Sequence, residues 1–199
     1  LKGATSFLKK CKQDYVVLSD SDSVYKLDYS DVIKAHEEKN ADLTLVYHEH
    51  EVSKSHYYVT FETEKDGRIN ELCINPLTGG VKKNYINVMV ARTSFLLNLI
   101  QDAIQRGYTS FGSDILVPGV KNMRLYGYKL EGYYANIDSL EAYFNANLDL
   151  LKKDVRQEIF GDRDVYTKVN DSAPAKFTDN AVVKNSLISD GCLIEGTVE

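Results

Sequence analysis

Residues 15–22 carry a short apolar run that ends in a polar loop, Tyr15-Val16-Val17-Leu18-Ser19-Asp20-Ser21-Asp22. Such a β-branched run, stopping at serine and aspartate, is typical of a buried parallel strand that ends at the carboxyl edge of a sheet. Ser30 is placed to cap a helix that continues to about Lys39, and residues 42–47 have the character of another strand. Strand, helix and strand in this order predict a βαβ unit and a parallel α/β sheet.

Local patterns predict the remaining elements. The turn dipeptide Asp66-Gly67 lies between two strand-like runs, so residues 57–74 predict a hairpin. Hydrophobic periodicity and a capping hydroxyl residue, Ser139, predict four more elements: strands over residues 85–91 and 124–130, and helices over residues 93–106 and 139–151.

The composition argues against nucleic acid and membrane as partners. The chain has 199 residues, of which 43% are hydrophobic and 27% charged, and its formal net charge is -5. A negative chain provides no field that attracts phosphate backbones or anionic lipid. No run approaches the roughly 18 apolar residues that span a bilayer.

Three cysteines indicate a reducing compartment. Cys11, Cys73 and Cys192 are odd in number and far apart, which fits neither a disulfide framework nor a zinc site with close ligand pairs. We therefore expect the cytoplasm. The chain begins with Leu1 rather than methionine, which predicts a fragment of a longer protein.

The last part of the chain changes its period. Val182, Ile188 and Ile194 are spaced by six, with turn-forming residues between them. A six-residue repeat predicts the first coil of a parallel β-helix, and because one coil cannot bury its own apolar face, we expect it to continue beyond Glu199. The predicted division is an α/β domain over residues 1–151, a linker over 152–178 and the β-helix over 179–199.

Asp20 and Asp22 follow the first strand directly, at the sheet edge where open α/β sheets bind ligands. Carboxylates at this edge can hold Mg²⁺ against the phosphates of a nucleotide, because Mg²⁺ prefers hard oxygen ligands. Their spacing is equally that of a polar loop in which aspartate and serine cap backbone groups. The residues alone leave both interpretations open.

Four segments match the motifs of one family in that family's order. Residues 18–29, LSDSDSVYKLDY, line up without gaps on L-x-x-G-D-H-(I/V/L)-Y-x-M-D-Y, and residues 111–115, FGSDI, on F-G-x-D-(I/V). Residues 132–143, GYYANIDSLEAY, are similar to G-Y-W-x-D-(V/I)-G-T-x-x-(A/S)-(Y/F), and residues 173–177, APAKF, to P-P-A-K-F. The chain thereby resembles the ADP-glucose pyrophosphorylases, which are sugar-1-phosphate nucleotidyltransferases.

This resemblance implies a fold and a reaction. The fold is a Rossmann-like, GT-A type mixed sheet flanked by helices, followed by a left-handed β-helix. The reaction joins ATP and glucose-1-phosphate, with Mg²⁺ as cofactor, into ADP-glucose and pyrophosphate for glycogen synthesis. The family's glycine-rich nucleotide loop is absent, and we expect it in a missing N-terminal part.

The sequence departs from the family where the family places its chemistry. Of the two metal-binding carboxylates, one is kept as Asp22 and the other falls on Asn136. The lysine that holds the sugar phosphate falls on Asn75, the serine of S-M-G-I-Y falls on Tyr85, and Asp138 replaces a turn glycine. With these changes the chain resembles the accessory D-type subunit of the enzyme in some Gram-positive bacteria. That subunit pairs with a catalytic subunit and adjusts its activity.

Two hypotheses follow from the resemblance. In the first, the chain is a regulatory, catalytically weak or inactive subunit that forms a hetero-oligomer with the catalytic subunit and can still bind glucose-1-phosphate or ATP. In the second, it is an active nucleotidyltransferase whose metal site is rearranged around Asp20 or Asp138. A hexapeptide-repeat acyltransferase is disfavoured, because no histidine follows His56.

Other residues carry weaker predictions. His48, His50 and His56 could indicate a metal site, but His48 and His50 lie two residues apart near a strand end with no cysteine nearby, which favours surface histidines. Lys26 and Lys129 are candidates for phosphate contact, and Tyr133 and Tyr134 for stacking on a sugar.

Overall fold

The computed structural model describes residues 2–51, 58–77, 79–161, 165–166 and 171–199. The strands are β1 (Tyr15–Ser19), β2 (Ser23–Tyr25), β3 (Leu43–Glu51), β4 (Val59–Thr63), β5 (Ile69–Ile74), β6 (Val81–Arg92), β7 (Leu125–Lys129), β8 (Tyr134–Asn136), β9 (Lys176–Phe177), β10 (Val182–Val183), β11 (Leu193–Ile194) and β12 (Thr197–Val198). The α-helices are α1 (Thr5–Leu8), α2 (Tyr29–Glu38), α3 (Thr93–Arg106), α4 (Val117–Asn122), α5 (Leu140–Asp149) and α6 (Lys153–Phe160). A 3₁₀ turn (Lys2–Ala4) precedes α1, and a π-helical turn (Gly112–Leu116) precedes α4.

The chain falls into two compact units. The first comprises Leu1–Ser23 and Leu27–Glu131, and the second comprises Val24–Lys26 and Gly132–Glu199. The predicted boundary at residue 151 therefore lies inside the second unit. The difference arises because β2 pairs with β8, and hydrogen bonds tie the start of the second unit to α5 and α6.

The first unit is built on a six-stranded mixed sheet. Five strands follow the order β5-β4-β6-β3-β7. The sixth, β1, pairs with a different part of β6 from the part that pairs with β4. The mixed sheet implied by the resemblance is confirmed: β3 and β7 are parallel, as the strand-helix-strand pattern predicts for neighbours, whereas β6 is antiparallel to both β1 and β3. β1 and β3 still run in the same direction on either side of β6, so the strand-helix-strand unit is present but split by a strand from later in the chain.

β6 organises this sheet because it contacts three other strands. It pairs with β3 along most of its length, with β1 from Val88 to Arg92, and with β4 at Asn84. The sequence predicted only residues 85–91, because the polar residues Lys82, Lys83 and Asn84 conceal the start of the strand. Tertiary pairing extends the strand where local propensity does not.

The core lies on the face of this sheet that is covered by α3 and the turn before α4. β3 contributes Leu43 and Leu45, which are fully buried, and α3 contributes Leu96 and Ile100. The helix over residues 93–106 is confirmed with the predicted bounds. The predicted hairpin is also confirmed, since β4 and β5 are antiparallel around Asp66-Gly67; residues 52–57, at its predicted start, lie outside the described part.

α2 begins with a different cap from the predicted one. Asp28, not Ser30, is the N-cap residue, and its carboxylate accepts a hydrogen bond of 2.9 Å from the backbone N–H of Ser30. An aspartate two residues earlier satisfies the same free N–H groups and adds negative charge at the positive end of the helix. The prediction erred by two residues because both residue types are good caps.

The inner face of α2 carries a buried histidine. His36 is 1% exposed, and its Nδ1 lies 2.8 Å from the hydroxyl oxygen of Thr44 on β3. Its ring meets Tyr15 of β1 edge to face at 5.6 Å. Burial, followed by the charge of Arg92, lowers the pKa of His36 below its ordinary value. The folded chain therefore holds this imidazole neutral.

We expect this histidine to make stability depend on pH. Below about pH 6.5 the unfolded chain binds a proton at His36 that the folded chain, with its lower pKa, does not yet bind. The stabilising contribution is complete above that pH and is lost as the pH falls towards the lower folded pKa. Denaturant unfolding between pH 5 and 7.5 should show a steeper loss of stability for the wild type than for His36→Asn. Equal slopes would contradict this assignment.

The second unit contains a short sheet and two helices. Ser139 caps α5 as predicted, accepting a 3.0 Å hydrogen bond from the backbone N–H of Ala142. α6 lies in the stretch that was predicted to be a linker. The helix was missed because its residues are mostly charged or polar, and only Ile159 is buried.

The tail contains two short parallel strand pairs. β9 pairs with β11, and β10 pairs with β12, each over two residues. Across the described residues, none of the helices has both the length and the apolar character needed to cross a membrane.

Candidate functional site

A cavity opens at the carboxyl end of β1 in the first unit. Its volume is about 400 Å³, and its walls come from β1, β4, β6 and the π-helical turn. Tyr85, Asn87 and Met89, alternate residues of β6, line one side. Alternate residues of a strand share a face, so β6 presents three side chains to one space.

An irregularity in β6 shapes this wall. Val46 of β3 pairs with Val88, but the next residue, Tyr47, pairs with Tyr85, so two residues of β6 are left over. One of them, Asn87, has a φ of 58°, a left-handed conformation that asparagine adopts more readily than most residues. The carbonyl oxygen of Asn87 accepts a 3.3 Å hydrogen bond from the backbone N–H of Asp20, which fixes the loop after β1 against β6.

Two of the predicted site residues, Asp20 and Tyr85, line this cavity. Burial raises the pKa of the Tyr85 hydroxyl well above its ordinary range, and the charge of Asp20 adds to the effect. The phenol therefore stays neutral at physiological pH. Among the described residues that line the cavity, Asp20 is the only one that is charged at neutral pH.

The motif at residues 111–115 supplies the third wall. Ser110, Phe111 and Gly112 line the cavity, but Asp114 acts within its own loop. Its carboxylate accepts hydrogen bonds of 2.8 Å from the backbone N–H groups of Thr109 and Ser110. These bonds hold the pKa of Asp114 below its ordinary value. The sequence did not single out Ser110, which directly precedes its motif, or Asn87, which falls on the glycine of S-M-G-I-Y.

Asn75 does not line the cavity and instead closes the hairpin. Its side-chain oxygen accepts a 3.0 Å hydrogen bond from the backbone N–H of Tyr58, while its own N–H donates to the carbonyl of Tyr58 at 2.8 Å. Its φ is 52°, again left-handed. Asparagine suits this position, because its short polar side chain tolerates that conformation and bonds locally.

Asp22 lies in the loop after β1, and its side chain is exposed. The hydroxyl of Ser23 donates to its Oδ1 at 3.3 Å, and the hydroxyl of Ser19 donates to the carbonyl of Asp20 at 2.8 Å. The polar-loop interpretation predicts local hydrogen bonds of this kind. They leave both carboxylates accessible to solvent.

Asn136 and Asp138 belong to the second unit. The side-chain amide of Asn136 donates to Oδ2 of Asp138 at 3.2 Å. Asp138 is exposed, whereas Asn136 is half-buried at the end of β8. Asn136 stands, by resemblance, at the position of a metal-binding carboxylate. Its amide instead contacts the carboxylate of Asp138.

Asp20 and Asp22, the residues predicted to hold Mg²⁺, are exposed carboxylates of the loop after β1. Where the family has two carboxylates, this chain has Asp22 and the neutral Asn136. Across the described part of the chain, no group of three or more histidine, cysteine, aspartate or glutamate side chains is arranged to share a metal ion. Asn136 offers Mg²⁺ a neutral oxygen at the position where the family, by resemblance, has a carboxylate.

The weaker candidates have structural partners. Lys129 pairs with Glu49 at 3.1 Å and with Glu131 at 3.2 Å. The hydroxyl of Tyr133 donates to Asp149 at 3.0 Å, and burial and this bond raise its pKa to about 12. Its backbone N–H donates to Glu158 of α6. These contacts give the Lys129 ammonium and the Tyr133 hydroxyl structural partners, and they leave the predicted stacking by the Tyr133 ring untested.

Comparison with known proteins gives one consistent result. A family model described as nucleotidyl transferase matches residues 1–153. A curated glucose-1-phosphate adenylyltransferase from Thermosipho melanesiensis is 30% identical over 195 residues, which are 96% of this chain and 47% of that protein. Proteins of the same name are 26% identical over 197 residues in Clostridium acetobutylicum (96% and 52%) and 30% identical over 200 residues in Clostridium botulinum (97% and 51%). The chain spans about half the length of these curated relatives.

Proposed function

The chain belongs to the nucleotidyl transferase family, with curated glucose-1-phosphate adenylyltransferases among its relatives, and we propose that it is part of a regulatory subunit of such an enzyme. The whole protein would contribute to ADP-glucose synthesis for glycogen through contact with a catalytic subunit. On its own it would be weakly active or inactive.

The charge of the cavity carries this proposal. A sugar phosphate is an anion, and enzymes that transfer nucleotidyl groups neutralise such charge with metal ions or basic side chains. Here the one charged residue among the described lining residues is Asp20, a carboxylate. Asp20 is exposed to solvent, which weakens its field, but its carboxylate repels a phosphate rather than neutralising it. The described lining therefore supplies no positive charge for the binding step that the reaction needs.

Tyr85 also disfavours substrate binding in this cavity. By resemblance it replaces a serine that contacts the sugar, and its ring occupies space beside Asp20 in the cavity. A neutral phenol contributes a hydrogen-bond donor but no positive charge. The substitution reduces the room for substrate without restoring charge neutralisation.

Asn75 and Asn136 are neutral where the family, by resemblance, has ionic groups. The Asn75 amide oxygen is committed to the N–H of Tyr58, so this side chain serves the hairpin. Asn136 can offer a metal one neutral oxygen but no charge. Each position has lost an ionic group, and the hydrogen bonds of Asn75 give it a structural role in place of the catalytic one.

We also propose that residues 179–199 begin a left-handed β-helix. Two parallel strand pairs, β9 with β11 and β10 with β12, support it, because successive coils of such a helix are joined by parallel ladders. In many oligomeric proteins, repeat domains of this kind provide extended contact surfaces.

The test is to mix the full-length protein with the catalytic subunit from the same organism. We expect the two to co-purify, and we expect the partner's ADP-glucose synthesis to change in rate or in its response to effectors. A partner whose rate is the same with and without this protein, over a saturating range of concentrations, would contradict a regulatory role.

A further inference from the structure

Two histidines lie side by side on β3, away from the cavity. His48 and His50 are alternate residues of the strand and so share a face. Their rings stack at 5.5 Å between centroids, and the two Nδ1 atoms are 3.3 Å apart. Both side chains are half-buried. Neither residue lines the cavity.

The distance between the nitrogens matches a metal site. Zinc binds histidine nitrogen at about 2.0–2.1 Å with tetrahedral geometry, which places two ligand nitrogens about 3.3–3.4 Å apart. We propose that the Nδ1 atoms of His48 and His50 bind a transition-metal ion of the zinc class, with water in its remaining positions. Imidazole nitrogen is a preferred ligand for zinc, copper and nickel.

A buried amide beside the pair supports this site independently. Asn84 of β6 is 5% exposed and is paired with His48 across the two strands. Its Nδ2 lies 3.3 Å from Nε2 of His50, and within the described part of the chain its Oδ1 has no hydrogen-bond partner. A buried oxygen without a partner is costly and needs an explanation.

The His50 tautomer that metal binding requires agrees with a rotated Asn84 amide. Histidine that binds a metal through one nitrogen donates the N–H of the other to an acceptor nearby. If the Asn84 amide rotates by 180°, its Oδ1 takes the place of Nδ2 beside His50 Nε2 and accepts that N–H. The Nδ1 of His50 then carries the lone pair that the proposed metal would bind, while the Asn84 Nδ2 takes the buried position that Oδ1 leaves.

The electrostatics of the pair agree with this role. Burial, followed by the proximity of His48, lowers the pKa of His50, so its imidazole is neutral at physiological pH. A metal ligand must be neutral imidazole. The competing interpretation is a hydrogen bond from one Nδ1–H to the other Nδ1, which would use the same short distance without a metal. His56, the third histidine of this stretch, lies outside the described residues.

Zinc titration of the full-length protein, purified without a histidine tag, separates these interpretations. In competition with a chromophoric chelator, we expect about one equivalent of Zn²⁺ to bind. His48→Ala and His50→Ala should each weaken that binding at least tenfold. Glu49→Gln is the matched control, because this exposed residue lies between the histidines on the opposite face of the strand and should leave the affinity unchanged. Absence of binding, or binding that both histidine variants leave unchanged, would overturn the proposal.

A substitution at Asn84 tests the supporting contact. Asn84→Asp places a stronger acceptor beside His50 and should tighten zinc binding, whereas a purely structural asparagine gives no reason for a gain. Because Asn84 is buried, the folded state of this variant is checked by circular dichroism. Electron paramagnetic resonance of the wild type with one equivalent of Cu²⁺ provides the second measurement. Hyperfine coupling to two imidazole nitrogens is expected, and coupling to none would contradict the site.

Discussion

The double substitution Asn75→Lys and Asn136→Asp in the full-length protein is expected to raise its unaided ADP-glucose formation by roughly 100-fold, the scale of one transition-state contact in an enzyme site. By resemblance, the lysine would restore a cation for the sugar phosphate and the aspartate a second charge for the metal. Groups that act as a unit are not additive, so each single variant should gain much less.

The control is a second double variant that makes the same two charge changes at other positions. Asn70→Lys and Asn98→Asp alter two exposed asparagines of the first unit, on β5 and α3, and should leave activity at the wild-type level. A double variant no more active than this control would show that positions 75 and 136 do not account for the lost chemistry.

The Asn75→Lys change also has a structural cost. Lysine loses the hydrogen bond to Tyr58 and must adopt the left-handed conformation at φ 52°, which costs an ordinary side chain roughly 1–2 kcal/mol. The melting temperature should therefore be measured for every variant, so that a loss of folded protein does not conceal a gain in activity.

Leu45→Ala is expected to cause the largest loss of stability, about 2–5 kcal/mol, because it leaves a cavity in the core. Leu45 is fully buried on β3, where it lies between Met89 of β6 and Gly127 of β7 in the strand register. Val81→Ala on β6 is the control, since Val81 is 71% exposed. Denaturant unfolding measures both. A loss below 1 kcal/mol for Leu45→Ala would contradict the central position of β3.

Local signals in the sequence predicted the local elements of this fold. The Asp66-Gly67 turn, the apolar periodicity of α3 and the Ser139 cap each act within a few residues, so the hairpin, the helix and the cap are where they were expected. The sheet order was not predictable in this way. It depends on β6, which pairs with β1 about 70 residues earlier in the chain and thereby splits the strand-helix-strand unit.

In the candidate site, too, single residues were predictable but their long-range contacts were not. The position after the first strand identified Asp20 and the motif match identified Tyr85, but only the antiparallel pairing of β1 with β6 brings them to one cavity. The match also identified Asn75 as a lost lysine. It could not reveal that the amide closes the hairpin, because that hydrogen bond joins residues 17 positions apart.

ADP-glucose synthesis by the purified full-length protein, without its partner, tests the central claim most directly. The account predicts a rate close to that of a blank reaction at saturating ATP, glucose-1-phosphate and Mg²⁺, because the cavity is anionic and the ionic groups at positions 75 and 136 are absent. Turnover at the level of an ordinary adenylyltransferase would contradict it, and the pocket would then have to be reassigned, starting from Asp20, Asp22 and Asp138 as candidates for holding the metal.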